Sequence, residues 1–447
     1  MQPYEIRDPI HKRITFDESE RKIIDHPFFQ RMRFISQLSF LQTYVYPGAV
    51  HTRFMHGLGA MHVAGRLFGK VIEGTSAIVE RLTAEEIDSL RQRLRLAGLL
   101  HDIGHGPFSH ECESIFPMRR ALPMDWSWWQ DTEDRPTVAP SNGAMAGKQA
   151  HHEDYSVLLL QAMVKEGALD KILAQDIGSL IHVGVTPSNW MSKIEQRVPS
   201  LHALLRQLIS GEADADRMDY LLRDSYFCGV AYGAYDIDWL ISSMSAHEHN
   251  GRFVLALAEN GVRAFEAFLL ARYHMFDQVY FHKTKAGFIH YLEQAIATDE
   301  IPLMIPTDPY AYAALHDGAV IEQLFTAALE TKNYWSQHIM SRIPARRILR
   351  LQEGVAEDMQ TLEKIKKICE LNDILWFIHR AGKELTSLGS DASHDLFVEK
   401  KILGGSKIVP MMEYSDLLMK YNEKLRFVDV FVHREDVDRF EKMLKAM

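Results

Sequence analysis

The stretch His101-Asp102-Ile103-Gly104-His105-Gly106-Pro107-Phe108-Ser109-His110 packs three imidazoles and a carboxylate into ten residues, directly after an apolar helix. Adjacent side chains diverge on a helix, so His101 and Asp102 can meet at one metal ion only if the helix ends there and the backbone turns. Gly104 and Gly106 are expected to permit that turn, and Pro107 to restart the chain. Imidazole nitrogen and carboxylate oxygen suit divalent transition metals or magnesium. The preceding helix is well marked. Thr83 and Glu86 form a capping-box pattern, and Ile87, Leu90, Leu94 and Ala97 make a buried stripe that delivers His101 and Asp102 at its end. One pair leaves a ligand set incomplete, so other segments have to supply the rest.

His56 shares one helix face with Ala60, Val63 and Leu67, on the buried side. Much later, Asp216, Tyr220 and Asp224 recur at i, i+4 and i+8 with Arg223 beside them, so all can project into one space. His56, His101, Asp102 and Asp216 make two imidazoles and two carboxylates. That set leaves coordination positions for water or phosphate oxygen, as a hydrolytic site needs. His105, His110 and His152 are surplus as ligands and suit proton donors or phosphate contacts. His110 and Glu113 stand at i,i+3, a spacing that lets a carboxylate hold and charge an imidazole. Arg272, Phe276, Tyr280 and Lys283 run at i, i+4, i+8 and i+11 of a helix expected from near residue 260. On spacing alone that stripe reads as a helix with snorkelling cations rather than a nucleotide pocket.

A length of 447 residues gives room for two to three domains. The formal net charge of −10 argues against a general nucleic-acid binder, while a local basic pocket can still hold phosphates. Cys112, Cys228 and Cys369 are few, odd in number and far apart, which points to a reducing, cytoplasmic compartment. No apolar run is long enough for a membrane span, and the first residues lack a signal-peptide pattern. Hairpins are expected over 4–16 and 247–258, and a helix over 18–37 broken at Asp25-His26-Pro27. Mainly helical text runs from 300 to 374, and 427–432 alternates like a strand. Segment 117–150, with Trp126, Trp128 and Trp129, is long for a plain loop and reads as a solvated insertion, a lid or a subunit contact, the tryptophans favouring contact.

Taken in order, Arg53-x-x-His56, the His101–His110 stretch and Asp214-x-Asp216-Arg217-x-Asp219-Tyr220 resemble the HD-domain metal-dependent phosphohydrolases. Within them the chain is most similar to the deoxynucleoside triphosphate triphosphohydrolases, the branch that includes a vertebrate enzyme with an added sterile alpha motif domain. The His-Asp pair marks only the superfamily. The strings from Tyr46-Pro47-Gly48-Ala49 to His56, and Tyr280-x-His282-Lys283, are more specific to that branch. The resemblance runs from about residue 4 to residue 283. It implies a mainly α fold, an HD-domain helical core with small β hairpins over 1–310. The mixture of helical text and strand-like alternation beyond it reads as a smaller mixed α/β C-terminal lobe over 311–447.

The resemblance further implies metal ligands at His56, His101, Asp102 and Asp216. The ion would be manganese, iron or magnesium, with zinc or nickel also admissible. His110, polarised by Glu113, is implied to protonate the leaving 5′ oxygen, with His105 and His152 around the α-phosphate. Arg53, Arg217, Tyr220, Arg272 and Lys283 match positions near the triphosphate, and Gln37, Leu38, Asp224 and Tyr280 match residues around the sugar. Glu113 stands where the family has aspartate, and Arg217 where the vertebrate enzyme has lysine. A dNTP substrate, a GTP or dNTP activator, and a homo-oligomer (dimer, tetramer or hexamer) are the implied partners. Asp25, Gln30 and Arg33 match a guanine-reading activator site, and Arg346 and Arg350 its phosphate contacts. Two other readings stay open. One is another HD activity on a nucleoside monophosphate, a cyclic nucleotide or a signalling nucleotide; the other is a non-catalytic nucleotide sensor.

Overall fold

Strands β1 (Tyr4–Asp8) and β2 (Lys12–Phe16) form an antiparallel hairpin in which Tyr4 pairs with Phe16 and Asp8 with Lys12. The computed structural model describes residues 3–129, 148–383, 386, 388, 395–421 and 425–445. The next helix stops at Ile24, with Asp25 at its C-terminal cap. His26 caps the following turn through Nδ1, which accepts from the Phe28 N–H, while Pro27 fills the first helical position.

Helices α1 (Arg53–Leu67) and α2 (Ala84–Leu100) form the centre. They cross closely because Gly57 faces the Leu99 carbonyl and Gly98 faces the Ala60 carbonyl; a methyl group at either would run into backbone. The α2 capping box forms as expected, with Thr83 and Glu86 exchanging hydrogen bonds. Leu90, Leu94, Ala97 and Leu100 are fully buried. Burial of each leucine is worth about 1.5–3 kcal/mol, which anchors the end of α2 far more firmly than its propensity would. Around this pair lie α3 (His152–Lys165), α4 (Lys171–Ile181), α5 (Ala215–Cys228) and α6 (Val262–Met275), while α7 (Lys283–Ala297) packs in a second core with Leu41, Val320 and Ile339. Leu67, Leu160, Leu180, Leu221 and Phe265 share one continuous core with α2.

The C-terminal part contains strands β5 (Arg346–Gln352), β6 (Trp376–Lys383) and β9 (Leu425–Val432), in sheet order β5-β9-β6. Helices α8 (Ala356–Leu371) and α9 (Val437–Lys445) pack against them around Leu351, Ile365, Val430 and Phe440. Residues 346–352 were expected to be helical; pairing with β9 makes them a strand.

The remaining strands cross the boundary expected at residue 310. Hairpin β3 (Met244–His249) and β4 (Arg252–Ala258) continues, through a parallel β4–β7 pairing, into β7 (Phe397–Ile402) and β8 (Gly405–Pro410). An unpaired β4 edge would leave backbone groups unsatisfied, and a late segment fills it. Val398, Met411 and Leu418 accordingly join the main core. The chain after 310 is therefore shared among the main core, the second core, which takes Val320, Leu324 and Ile339, and the core of the β5-β9-β6 sheet.

Two of the three tryptophans of segment 117–150 also differ from expectation, while Trp126 stays half-buried. Trp128 and Trp129 are 2% and 6% exposed and belong to the core, where the Trp128 carbonyl accepts from the Thr186 N–H. Their bulk fills space between α3 and α4 instead of offering a contact surface. Residues 130–147, the rest of the expected lid, lie outside the described residues. Among the described residues no helix is long and apolar enough to cross a membrane.

Candidate active site

Helix α2 ends at Leu100 and His101 caps it, so His101 and Asp102 leave the helix as the sequence required. The turn itself is made differently. Neither Gly104 nor Gly106 has a positive φ; Phe108 (φ 57°) and Ser109 (φ 59°) take the left-handed region instead. Two such residues cost about 1–3 kcal/mol each, so other contacts must hold them. The Phe108 N–H donates to Asp317 Oδ1 at 2.9 Å, and Ser109 Oγ accepts from Arg53 Nε at 2.8 Å. Gly104 is needed for space: it abuts the His152 carbonyl and the Ser156 N–H, so the loop seats on the start of α3. Its own N–H donates to Ser156 Oγ at 3.0 Å. That seating carries His152 beside His105.

The first cluster is His56, His101 and Asp216, with Asp102 at its side. Asp216 Oδ1 lies 2.9 Å from His56 Nε2 and 3.3 Å from His101 Nε2, and the two Nε2 atoms are 3.2 Å apart. Asp102 oxygens stand 3.5 and 3.4 Å from the same two nitrogens. Each histidine is oriented through its other nitrogen. His56 Nδ1 donates to Asp219 Oδ2 at 2.8 Å, and His101 Nδ1 donates to the Gly98 carbonyl at 2.9 Å. With those protons assigned, both Nε2 lone pairs point at one place. Ligands at about 2.1 Å from a metal and near right angles are themselves about 3 Å apart, so the group fits a divalent cation. Electrostatics agree. Burial alone would lower the His56 pKa, yet Asp216 and Asp219 raise it to about 10, so a positive charge belongs here. Asp102 is held well below the usual carboxylate range despite burial, mainly by the Arg53 guanidinium it contacts.

Behind the cluster lies a layer the sequence did not reveal. Asp219 is fully buried and also accepts from His11 Nε2 at 2.6 Å and from Arg223 at 2.8 Å. Arg223 in turn donates to Asp8 at 2.8 Å. The β1–β2 region thus clamps the residue that orients His56. The Asp219–Arg223 spacing of i,i+4 was readable; the reach of Asp8 and His11 was not.

The second cluster joins His105, His110, Glu113 and His152. His105 and His152 stack at 3.8 Å and 14°, and His110 stands perpendicular to His105 at 4.7 Å. Glu113 Oε1 accepts from His152 Nδ1 at 2.6 Å and from His110 Nδ1 at 3.0 Å. Burial would raise the Glu113 pKa, but those two imidazoles hold it far below the usual range. Burial likewise opposes a charge on His152, and Glu113 restores it, raising the pKa. His105 moves the other way, down, through burial and the nearby Arg53 and His152 charges. His110 is 63% exposed and lines the cavity.

Both clusters border a cavity of about 560 Å³. Arg53, Arg217, Tyr220 and Arg272 line it, as do Gln37, Leu38, Asp224 and Tyr280. Arg272 donates to Glu212 at 3.1 Å, and Arg217 lies 3.4 Å from the same buried carboxylate. Asp224 accepts from the Tyr280 hydroxyl and from His51 Nε2, both at 2.7 Å. Glu212 and His51 were not singled out from sequence; only their burial against charged partners identifies them.

Lys283, expected near the triphosphate, stands apart from the cavity. Helix α6 gives way to a π-type turn over Phe276–Tyr280, and His282 then caps α7, so the expected single stripe is broken. Lys283 becomes the exposed first residue of α7, outside the cavity lining, whereas Lys285 is within it. The activator candidates are not drawn into one cluster. Arg33 donates to Gln30 at 2.8 Å, and Asp25 pairs with Arg21 at 3.3 Å. Arg350 grips Asp429 at 2.8 and 2.9 Å, and Arg346 lies 3.2 Å from Glu441.

Residues 56–223 match the model of the HD domain, and residues 235–368 match that of the HD-associated region. An uncharacterized protein from Methanocaldococcus jannaschii is 33% identical over 279 residues, 62% of this chain and 46% of the relative. The deoxynucleoside triphosphate triphosphohydrolase SAMHD1 of Bos taurus is 30% identical over 243 residues, 50% of this chain and 36% of that protein. The chain thus spans less than half the length of either. A crystal structure of a hypothetical protein from Aquifex aeolicus superposes with a TM-score of 0.70 at 26% identity, covering 99% of this chain and 100% of that one.

Proposed function

We infer that this chain, which belongs to the HD-domain family and carries the HD-associated region, is a metal-dependent hydrolase that cleaves deoxynucleoside triphosphates to deoxynucleoside and triphosphate. One observation carries the reading. A single cavity joins a cation-binding His/Asp cluster, a Glu113-held imidazole group, arginines for phosphate, and the Tyr280–Asp224 pair for a sugar hydroxyl. Similarity over half the chain to a protein named as a dNTP triphosphohydrolase supports it.

A divalent cation held by His56, His101, Asp102 and Asp216 would neutralise α-phosphate charge and make water more acidic. The residues do the remainder. His152, kept cationic by Glu113, and His105 hydrogen-bond the α-phosphate oxygens. His110, oriented through Nδ1 by Glu113, donates a proton to the 5′ oxygen as the bond from that oxygen to the α-phosphorus breaks. Water oxygen joins the same phosphorus, so triphosphate leaves whole. Arg53, Arg217 and Arg272 balance its charge. Asp224, fixed by His51 and Tyr280, accepts a hydrogen bond from the 3′-hydroxyl, with Gln37 and Leu38 flanking the sugar.

The test is a panel of dNTPs and NTPs with manganese, magnesium or cobalt, following released triphosphate. Release of orthophosphate or pyrophosphate in its place would support a different HD activity, and saturable binding without turnover a sensor. Oligomerisation and activation through Asp25, Gln30, Arg33, Arg346 and Arg350 belong to the same proposal. Added GTP or dGTP should then change oligomer size and the hydrolysis of another dNTP.

A further inference from the structure

The cavity holds an ion pair that the phosphate and sugar contacts leave unused. Lys285 Nζ lies 2.7 Å from Glu111 Oε1, their side chains are 11% and 5% exposed, and both residues line the cavity. They arrive from different elements: Glu111 follows His110 on the short helix Ser109–Ile115, and Lys285 sits in the first turn of α7. Removing an ammonium and a carboxylate from water costs several kcal/mol per ion, and two apolar side chains of similar volume would often be as stable. Stability alone therefore does not account for the pair. Each group also keeps capacity after their mutual contact, since an ammonium offers three donors and a carboxylate about four acceptor positions.

The pair lies towards the sugar side. Lys285 follows Tyr280 by five residues, and the Tyr280 hydroxyl donates to Asp224 at 2.7 Å, so Lys285 enters the cavity from the Tyr280–Asp224 side. Phe281, Ile289 and His379 line the cavity from α7 and β6 and from the turn before α7, elements that carry no residue of the metal cluster. They add flat and apolar surface, which suits an aromatic ring.

Resting on the dNTPase reading, we propose that Glu111 and Lys285 read the edge of the nucleobase, and that the base they fit is guanine. Guanine presents N1–H and N2–H side by side, with O6 next to them. A carboxylate only accepts and an ammonium only donates, so Glu111 takes both N–H groups while Lys285 donates to O6. Adenine and cytosine offer this pair one amino group and one ring nitrogen. Thymine offers one N–H flanked by two carbonyls, one of which must face the carboxylate. Guanine therefore makes three hydrogen bonds where the others make two or fewer, and a site left unpaired by the wrong base rejects it.

The experiment measures kcat/KM for dGTP, dATP, dCTP and dTTP with manganese in the full-length wild type, Glu111→Gln and Lys285→Met. Melting temperatures are recorded alongside. The wild type should favour dGTP over dATP by about tenfold to a hundredfold, the value of one or two hydrogen bonds to charged groups. In either variant that ratio should fall to within a few-fold. A ratio taken within one preparation does not respond to lost folded protein, so a merely structural role would leave it unmoved. If Lys285→Met does not fold, the double variant Glu111→Gln/Lys285→Gln, which keeps polarity without charge, reads the same ratio. Equal rates across bases in the wild type, or a preference untouched by both variants, overturn the inference and leave the dNTPase reading standing. Absence of triphosphate release from every dNTP removes that reading instead. Equilibrium binding of dGTP against dATP with manganese then decides the base edge, and equal affinities overturn it.

Discussion

His56 Nε2 and His101 Nε2 face one another across 3.2 Å, each aimed by a hydrogen bond on its other nitrogen, to Asp219 and to the Gly98 carbonyl. Asp216 and Asp219 draw positive charge to this place. A proton on His56 supplies it when no metal is bound, and a divalent cation supplies it better by engaging both nitrogens. Adding manganese to metal-stripped protein should therefore stabilise it, by about 2.7 kcal/mol at a hundred times the dissociation constant. Thermal unfolding with and without the ion measures this, and Asp216→Ala should remove the shift. A wild-type protein indifferent to every divalent metal would end the metal assignment.

Asp219 is no ligand, yet it fixes the His56 ring while held by His11 and Arg223. Partners of this kind typically contribute tenfold to a hundredfold in metal affinity. Asp219→Asn should weaken metal binding by about that factor in calorimetric titration. An unchanged affinity would mean that packing alone orients His56.

His110 and Glu113 make a separable prediction, because neither belongs to the first cluster. His110→Ala should lower turnover by about a hundredfold to ten-thousandfold with metal content unchanged. Glu113→Gln should act in the same direction, since it would hold both imidazoles less firmly. Metal analysis paired with turnover separates the roles, and an unaltered rate in His110→Ala excludes it as the proton donor.

Gly104 tests the seating of the loop. A methyl group there meets the His152 carbonyl and the Ser156 N–H, which are backbone and cannot swing aside. Gly104→Ala should cost about 1–3 kcal/mol in denaturant unfolding. It should also reduce turnover by displacing His105 from His152. Wild-type stability would show that α3 yields easily.

His433 predicts a pH dependence remote from the site. It is 2% exposed, among the rings of Tyr291, Tyr334 and Trp335, with His338 and Glu435 as charged neighbours. Burial chiefly, and His338 next, lower its pKa from 6.5 to about 4. Between those values the unfolded chain binds the proton and the folded chain does not, so stability rises with pH across the window. Its contribution is complete above about pH 6.5 and shrinks on acidification, by about 2 kcal/mol at pH 5. His433→Phe should flatten the stability profile between pH 7 and 5 by about that amount. An identical slope in the variant would assign the acid sensitivity elsewhere.

The residues of the first cluster were legible because each sits at a marked local position. Thr83 and Glu86 start α2, its apolar stripe sets the register, and His101-Asp102 falls where that register ends. His56 and Asp216 occupy equally clear faces of α1 and α5. Periodicity reports which side of an element is buried, and for these residues that sufficed. It misled where the element itself changed. The π-type turn after α6 put Lys285 into the cavity instead of Lys283, and the glycines expected to bend the loop give room while Phe108 and Ser109 bend it.

What the sequence determined by itself is the helical frame and the residue types that bind a cation. Only the tertiary structure decided which charges meet. His11 reaches Asp219 across 208 residues, His51 reaches Asp224 across 173, and β7 completes the edge of β4 from the far end of the chain. Those contacts follow from burial, which obliges each polar group removed from water to find a partner wherever packing brings one, and no local spacing records where that will be.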